Sequence, residues 1–462
     1  MGRLFGTDGI RGRVNQDLTA ELALDLAVAA AYVLGAGRGR RLRALVGRDP
    51  RISGQLLESA VVAGLASAGT DVTRVGVLPT PAVAHLVRAE GADLGVVLSA
   101  SHNPMPDNGI KFFAGGGYKL ADQVEDEIEA ALSERWRRPM GADVGRVADG
   151  PQLAEDYIHH LTSSLSAATE GRNPLKGLRV VIDVANGAAH RTAPAAFRAC
   201  GAEVIVIHGR PDGLNINDRS GSTHPEVLQR AVLEHGADLG LALDGDGDRC
   251  VAVAADGEIV DGDQIMAILA VAMRERGQLA DNIVVTTVMS NLGFARAMEH
   301  RGIRVVRTRV GDRYVLAEMR RRGAVLGGEQ SGHVLLRDYA TTGDGALTGL
   351  HLMAVMAETG APLGDLASLV ERMPQVLINV PGVDLTRADS DPVVHGEVLR
   401  ATAELGDDGR VLLRPSGTEP LVRVMVEASD ADRARRIADR LAEVVRERLG
   451  QPAGPQDVLA RD

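Results

Sequence analysis

The fold class is indicated by a segment that occurs twice, as Gly-Ala-Asp-Leu-Gly-Val-Val-Leu at residues 91–98 and as Gly-Ala-Asp-Leu-Gly-Leu-Ala-Leu at residues 236–243. A weaker copy, Gly-Ala-Val-Leu-Gly-Gly, occupies residues 323–328. Each copy follows apolar residues at helical spacing, where Pro225 suits a first helical position and Asp312 suits an N-cap. Each unit therefore predicts a helix, a glycine stop, a short buried strand and a polar loop. Solenoid repeats are shorter and more regular, so repeated α/β domains that share one site are the better interpretation.

The composition is that of a soluble acidic protein. A length of 462 residues, with 45% hydrophobic and 24% charged residues, predicts three or four domains. Aromatic residues make up only 2%, so Ala, Val, Leu and Ile must fill the cores. The net charge of -11 disfavours nucleic acid as the main partner, although it allows a local basic pocket.

Localisation is predicted from what the sequence does not contain. No stretch is apolar for the length of a signal peptide or a membrane span, so we expect a cytoplasmic protein without a membrane partner. The two cysteines, Cys200 and Cys250, cannot form a disulfide framework and have no zinc-ligand neighbours. They are expected to be buried thiols in a reducing compartment.

The second copy of the segment runs into Asp-Gly-Asp-Gly-Asp-Arg at residues 244–249. Three carboxylates at alternate positions, separated by glycines, can turn inward around one hard divalent cation, and magnesium fits best. An EF-hand would need glycine and glutamate where the chain has Arg249 and Ala255, so that interpretation fails. A solvated acidic turn is the other alternative, and the buried strand before the loop weakens it.

The first copy runs into Ser-Ala-Ser-His-Asn-Pro at residues 99–104. A hydrolase nucleophile would need flanking glycines, and the adjacent His102 is badly placed for a triad. A phosphorylated Ser101 could instead contribute a ligand to the metal held by the aspartate loop. Lys111, ten positions later, is a candidate proton donor or charge stabiliser. The residue chemistry therefore favours phosphoryl transfer over acyl transfer.

A third polar segment, Arg-Pro-Ser-Gly-Thr-Glu-Pro at residues 414–420, lies near the C-terminus. An arginine, two hydroxyls and a glycine N–H can form a compact phosphate cradle. The chain has no nucleotide-triphosphatase P-loop. Taken alone, the segment favours an ordinary turn, and only the other motifs of the chain support a phosphate site.

Five motifs, in this order, carry a resemblance to a known family; they lie at residues 6–12, 99–104, 244–249, 328–333 and 414–420. Together they resemble the α-D-phosphohexomutase superfamily, and within it the bacterial phosphoglucosamine mutases, over residues 1 to about 450. The resemblance implies three topologically similar α/β domains and a C-terminal α+β domain of the TATA-box-binding-protein-like class around one central cleft. We predict these boundaries: 1–150 with the phosphoserine loop, 151–252 with the metal loop, 253–370 with the sugar loop, 371–450 with the phosphate site, and a tail at 451–462.

The resemblance also implies the roles of individual residues. Ser101 would be the phosphoserine, and its phosphate would hold one Mg²⁺ together with Asp244, Asp246 and Asp248. The residues implied around the transferring phosphoryl group are Arg11, His102, Lys111, Arg249 and His333, with Lys111 and His333 as candidates for proton transfer. The residues implied to bind substrate are Asn103, Gly311, Asp312, Glu329, Ser331, Arg414, Ser416, Gly417, Thr418 and Arg423. An acidic Asp312 near the sugar would also favour a cationic 2-amino group.

The implied activity is the interconversion of glucosamine 6-phosphate and glucosamine 1-phosphate through a phosphoserine enzyme and a 1,6-bisphosphate. Glucosamine or glucose 1,6-bisphosphate would act as activator, and a homodimer and a priming kinase are further hypotheses. A phosphoglucomutase or phosphomannomutase with the same mechanism is the main alternative. A metal-dependent sugar phosphatase with an aspartate nucleophile and a non-catalytic phosphosugar sensor are alternatives from other classes.

Overall fold

The computed structural model describes residues 3–6, 8–168, 175–416 and 421–450. The chain divides into two compact units. One consists of Met298–Leu369 and the chain before Ser290, and the other of Ser290–Ala297 and the chain from Val370 onward. The first unit contains three α/β domains and the second an antiparallel α+β domain, which is the predicted fold class.

The first domain is built on a mixed sheet with the strand order β1-β5-β4-β2-β3-β7, and β6 pairs with β5. Its strands and helices are β1 (Ile10–Arg13), α1 (Ala20–Gly35), β2 (Arg43–Arg48), α2 (Gly54–Ser67), β3 (Asp71–Val77), α3 (Thr80–Ala89), β4 (Leu94–Leu98), β5 (Asp107–Ala114), β6 (Tyr118–Lys119), α4 (Asp122–Ala131) and β7 (Val147–Asp149). Every residue of β4 is buried, because β4 is paired on both edges and its faces are covered.

The second domain has a five-stranded sheet in the order β12-β11-β10-β8-β9. Its elements are α5 (Leu153–Ala168), β8 (Arg179–Asp183), α6 (Thr192–Ala199), β9 (Glu203–Ile207), α7 (Pro225–His235), β10 (Leu239–Leu243), β11 (Cys250–Ala254) and β12 (Ile259–Val260). Because β12 pairs with β11, this sheet extends past the predicted boundary at residue 252.

The third sheet has the order β14-β13-β15-β16. The elements of this part of the chain are α8 (Gly262–Glu275), β13 (Ile283–Thr287), α9 (Leu292–His300), β14 (Arg304–Thr308), α10 (Asp312–Arg322), β15 (Leu326–Gly328), β16 (Val334–Leu336), α11 (Gly345–Thr359) and α12 (Leu363–Ala367).

The repeated segments form the predicted unit in each of the three α/β domains, since α3 leads to β4, α7 to β10 and α10 to β15. Pro225 is the first residue of α7, as predicted, and Gly236 ends that helix in the left-handed region. The prediction that Asp312 caps α10 is wrong. Gly311 is the N-cap, and Asp312 is the first helical residue, so its side chain is free to make contacts outside the helix.

The C-terminal domain has an antiparallel sheet in the order β17-β19-β18. Its elements are β17 (Gln375–Pro381), α13 (Pro392–Leu405), β18 (Gly409–Pro415), β19 (Leu421–Ala428) and α14 (Ala431–Leu449). The main cluster of buried side chains in this domain consists of Val, Ala, Ile and Leu, as the scarcity of aromatic residues predicts. The predicted tail at 451–462 lies outside the described residues.

Both cysteines are free and buried, as predicted, and burial raises the pKa of Cys200 to about 11. Within the described ranges, none of the helices combines the length and the apolar character needed to cross a membrane.

Candidate active site

The predicted phosphoserine lies in a buried and strained loop. Ser101 follows the carboxyl end of β4, is 1% exposed and has a φ of 52°, which a side chain other than glycine rarely adopts. Its N–H donates to Ser99 Oγ at 3.0 Å. Non-glycine residues held in this region store strain that the surroundings must offset, and such residues cluster at functional sites.

Three residues that the sequence did not single out hold this loop in place. Arg51 and Asn217 both donate to the Ser101 carbonyl, at 3.0 and 2.8 Å. Arg51 is itself fixed by a fully buried ion pair with Asp49 at 3.0 Å. Because Asn217 belongs to the second domain, the loop is held from both sides of the boundary between the first two domains.

The three predicted metal ligands form a buried cluster. Their carboxylates lie within 4.8 Å of one another. Ser101 Oγ donates to Asp244 Oδ2 at 2.5 Å, so the serine belongs to the same group of oxygens. Glycine is required at 245, because a Cβ there would lie 2.6 Å from the Ser101 carbonyl oxygen.

The cluster fits a divalent cation on two grounds. Buried Oδ1 atoms of Asp246 and Asp248 accept no hydrogen bond within the described part of the chain. Burial and the nearby charges of Asp248 and Asp246 raise the pKa of Asp244 well above its ordinary value. A cation ligated by these oxygens would satisfy both atoms and relieve the repulsion.

Lys111 lies at the edge of the aspartate cluster. Its Nζ is 2.8 Å from Asp246 Oδ2 and 2.7 Å from Asp8 Oδ2. Burial lowers the pKa of Lys111, but the carboxylates of Asp246 and Asp8 outweigh this effect and raise the pKa above its ordinary value. The ammonium is therefore held in its charged form, in which it can stabilise negative charge.

Two arginines border the serine loop. Arg11 donates to Asn103 Oδ1 at 3.0 Å and to the Ala100 carbonyl at 3.3 Å. The backbone N–H of Arg249 donates to Asp244 Oδ1 at 3.2 Å, and its guanidinium Nε lies 4.0 Å from Asp248 Oδ1. Guanidinium groups in such positions match the geometry of phosphoryl oxygens.

His102 has Nδ1 3.3 Å from Ser101 Oγ. Burial, with the charges of Arg249 and Arg11, lowers its pKa to about 4. The ring is therefore neutral at neutral pH.

The predicted sugar loop connects β15 and β16. Glu329 accepts the N–H of Gly311 at 3.1 Å, which links the loop to the start of α10. Ser331 is exposed. The loop ends at the buried His333, the second candidate for proton transfer.

His333 is surrounded by groups with opposite effects on its protonation. Its Nδ1 is 3.6 Å from Asp248 and its Nε2 3.4 Å from Asp312. Burial lowers its pKa, but these carboxylates outweigh burial and raise the pKa to about 9. The N–H of Gly343 also points at Nε2, at 3.0 Å, and favours the unprotonated atom. His333 is thus equipped both to hold and to release a proton.

The structure also brings Asp312 into this group of residues. Its Oδ2 lies 2.5 Å from Lys119 Nζ, a residue that the sequence analysis did not select. Lys119 in turn contacts Asp8 Oδ1. A signal for Lys119 exists in the sequence, because the chain has only three lysines and two of them follow the serine loop closely.

The predicted phosphate site lies in the C-terminal domain. Arg414 and Arg423 are direct cross-strand partners on β18 and β19, and the Ser416 N–H donates to the Leu421 carbonyl at 2.8 Å. Two guanidinium groups on adjacent strands match the geometry of phosphate oxygens. Gly417 and Thr418 lie outside the described residues.

Sequence models of one family match four segments of the chain. They are described as phosphoglucomutase/phosphomannomutase alpha/beta/alpha domain I at residues 2–137, domain II at 155–257, domain III at 261–373 and the C-terminal domain at 377–444. The chain belongs to the phosphoglucomutase/phosphomannomutase family. This confirms the predicted superfamily, the predicted fold class and the prediction that the protein is an enzyme.

Curated members of the phosphoglucomutase/phosphomannomutase family resemble the whole chain. The phosphoglucosamine mutase of Streptomyces coelicolor is 62% identical over 458 residues, covering 97% of this chain and 100% of its own length. The phosphoglucosamine mutase of Acidothermus cellulolyticus is 63% identical over 451 residues, covering 97% and 96%. These relatives confirm the predicted likeness to phosphoglucosamine mutases.

Solved structures of the family share the fold. A Burkholderia thailandensis family member has a TM-score of 0.78 and 28% identity, covering 96% of this chain and 97% of its own. An Aspergillus fumigatus N-acetylphosphoglucosamine mutase, solved in complex with GlcNAc-6P and magnesium, has a TM-score of 0.67 and 18% identity, covering 96% and 95%.

Proposed function

We propose that the protein interconverts glucosamine 6-phosphate and glucosamine 1-phosphate. The observation that carries the proposal is Ser101 Oγ, buried 2.5 Å from Asp244 in a cluster of three carboxylates and bordered by cationic side chains. The full-length likeness to phosphoglucosamine mutases supports glucosamine as the hexose.

In the proposed cycle, phosphorylated Ser101 gives its phosphoryl group to a free hydroxyl of the sugar phosphate. The P–O bond to Ser101 Oγ breaks and a P–O bond to the sugar oxygen forms, which yields the 1,6-bisphosphate. The hydroxyl proton passes to a basic group of the site, and the leaving Ser101 Oγ takes a proton. After the bisphosphate turns round, Ser101 Oγ gives up this proton and recovers a phosphoryl group from the other position of the sugar. The sugar oxygen that leaves takes a proton.

The residues of the site have separate tasks in this cycle. Asp244, Asp246 and Asp248 would hold Mg²⁺, which neutralises charge on the transferring phosphoryl group when it is bound. Lys111 and His333 are the proposed groups for proton transfer. The proposed contacts to the phosphoryl group come from Arg11, His102 and Arg249.

Substrate recognition is assigned to the remaining predicted residues. Glu329, Ser331, Gly311 and Asp312 are proposed to contact the sugar, with Asn103 beside the serine loop. The phosphate that does not react is assigned to Arg414, Ser416, Gly417, Thr418 and Arg423. Positioning and charge neutralisation of this kind account for most of the catalysis in phosphoryl transfer.

The predicted domain division is part of this proposal, with residues 1–150, 151–252, 253–370 and 371–450 carrying the serine, metal, sugar and phosphate functions. The bisphosphate activator, the homodimer, the priming of Ser101 by a kinase and the cytoplasmic location stay predictions. They extend beyond the contacts described above.

The test is a direct assay of the 6- and 1-phosphates of glucosamine, glucose and mannose, with Mg²⁺ and a trace of 1,6-bisphosphosugar. We expect a strong preference for glucosamine phosphate and no turnover by the Ser101→Ala variant. A preference for glucose or mannose phosphate would agree with the proposed mechanism and contradict the proposal that glucosamine phosphate is the substrate.

Labelled bisphosphosugar separates the mutase from the other classes. A mutase acquires the label on Ser101, whereas a phosphatase with an aspartate nucleophile would retain labelling in Ser101→Ala. Binding without turnover of any of the three hexose phosphates, by fully phosphorylated protein, would indicate a sensor.

A further inference from the structure

Lys119 connects two carboxylates that come from different domains. Its Nζ lies 2.5 Å from Asp312 Oδ2, at the start of α10, and contacts Asp8 Oδ1, just before β1. The Lys119 side chain is only 11% exposed, and its two partners are 20% and 13% exposed. Largely buried ion pairs are less screened by solvent than surface pairs, so this bridge fixes the two carboxylates relative to each other.

The local backbone holds Lys119 in this position. Lys119 ends the short hairpin of β5 and β6, whose turn contains Gly117 with a φ of 79°. A Cβ at residue 117 would lie 2.1 Å from the Ala84 carbonyl oxygen, so the turn packs closely against α3. The Gly117 carbonyl also accepts a hydrogen bond from Thr341 Oγ1 at 2.5 Å. The hairpin is therefore anchored both in its own domain and in the third.

The use of lysine here is unusual for this chain. Only three of its 51 basic residues are lysines, at positions 111, 119 and 176. Lysine presents a compact ammonium group, whereas arginine presents a broad planar fork. A compact group suits a position where one nitrogen must contact two carboxylates from opposite sides.

Each carboxylate held by Lys119 also contacts a candidate for proton transfer. Asp8 Oδ2 lies 2.7 Å from Lys111 Nζ, and Asp312 Oδ2 lies 3.4 Å from His333 Nε2. If Lys119 lost its charge, Asp8 and Asp312 would lose the cation that they share. Both carboxylates could then move, and with them the groups that they contact.

We propose that Lys119 is a positioning residue for the transfer reaction. By holding Asp312 it fixes the position of this carboxylate beside His333, and by holding Asp8 it keeps Lys111 directed at the aspartate cluster. This inference rests on the proposed function, because its kinetic effect is defined for mutase turnover.

The kinetic test is a double-mutant cycle with Lys119→Met and Asp312→Asn, and Lys176→Met at an exposed lysine is the matched control. We expect Lys119→Met to lower kcat about 10²-fold, as for a misplaced catalytic group, and the control to leave kcat unchanged. In the Asp312→Asn background the same substitution should lower kcat less, by about 10-fold, since one of the two carboxylates that Lys119 holds has lost its charge.

Equal loss in both backgrounds, or a kcat for Lys119→Met close to that of the wild type, would overturn the proposal. If Lys119→Met does not fold, Lys119→Gln takes its place in the same cycle, since it keeps hydrogen-bond donors and removes the charge.

A structural comparison tests the same inference without turnover. In a crystal structure of Lys119→Met we expect the Asp312 carboxylate to leave its position, so that its separation from His333 changes by about 1 Å or more. A separation unchanged from the wild type contradicts the inference. If the wild-type protein showed no turnover, the proposed function would be contradicted. The comparison of the two crystal structures would still test the position that Lys119 gives to Asp312.

Discussion

Three carboxylates in the second domain are buried together, and two of them have an Oδ1 atom that accepts no hydrogen bond within the described residues. Asp244, Asp246 and Asp248 are between 0% and 4% exposed, and Lys111 is the ammonium paired with Asp246. Burying like charges together is unfavourable unless a cation or a proton balances them. At the scale of single residues, this buried group of carboxylates is therefore suited to hold a cation.

Replacing one carboxylate should weaken binding of that ion more than it destabilises the fold. We expect Asp248→Asn to lower the affinity for Mn²⁺, a spectroscopic substitute for Mg²⁺, at least tenfold, which is about 1.4 kcal/mol. Calorimetry or electron paramagnetic resonance measures this with the metal alone. Asp256→Asn, at an exposed turn after β11, is the matched control and should bind normally. Unchanged affinity in Asp248→Asn would contradict the assignment of the metal site.

At the scale of elements, the site residues lie where strands end and polar loops begin. The serine loop follows β4 and the aspartate loop follows β10, both of which pair in parallel with a neighbouring strand. In open α/β sheets, ligands bind outside the carboxyl ends of such strands. Asp49 and Arg51 follow the end of β2, the strand that neighbours β4, and they support the serine loop from there.

The buried pair at the end of β2 predicts a loss of stability and of activity together. Arg51→Met leaves Asp49 buried without its cation. We therefore expect the free energy of unfolding in the first unfolding transition to fall by about 3–5 kcal/mol. The exposed ion pair of Arg74 and Asp149 provides the control. Arg74→Met should lower the free energy of unfolding by less than about 1 kcal/mol. Urea unfolding measures both changes.

The same substitution should lower kcat, since the Ser101 carbonyl loses one of its donors. An Arg51→Met protein as stable and as active as Arg74→Met would contradict the role of this pair in holding the serine loop.

At the scale of the whole molecule, the two compact units carry different parts of the chemistry. The first contains the serine loop, the aspartate cluster and the sugar loop, and the second contains the cross-strand pair Arg414 and Arg423. Substitutions in the second unit should therefore affect binding of the substrate phosphate and leave the metal site intact.

We expect Arg414→Gln to raise KM for the sugar phosphate about 10- to 100-fold, the range of a hydrogen bond to a charged group. Its affinity for Mn²⁺ should match that of the wild type. Arg446→Gln, at an exposed position of α14, is the control and should leave KM unchanged. An unaltered KM in Arg414→Gln would contradict the assignment of the phosphate site.

The amino-acid sequence was sufficient to predict the repeated helix–strand–loop unit, the aspartate loop, the serine loop and the family. These features depend on local spacing and on residue types that occur together, so they can be read without the fold. Asp312 shows the limit of such reasoning, since its position before a helical pattern suggested an N-cap and the contact that it makes is with Lys119, far away in the chain.

Which distant residues meet at the site is set by tertiary folding. Arg51, Asn217 and Lys119 carry no local motif. Arg51 meets Ser101 and Lys119 meets Asp8 within the first domain, whereas the contacts of Asn217 with Ser101 and of Lys119 with Asp312 join different domains. The pKa directions at Lys111 and His333 also depend on that packing, because burial and charges brought from other domains set them. Local pattern specifies the elements and the chemical groups that they present, whereas electrostatics and burial act through space.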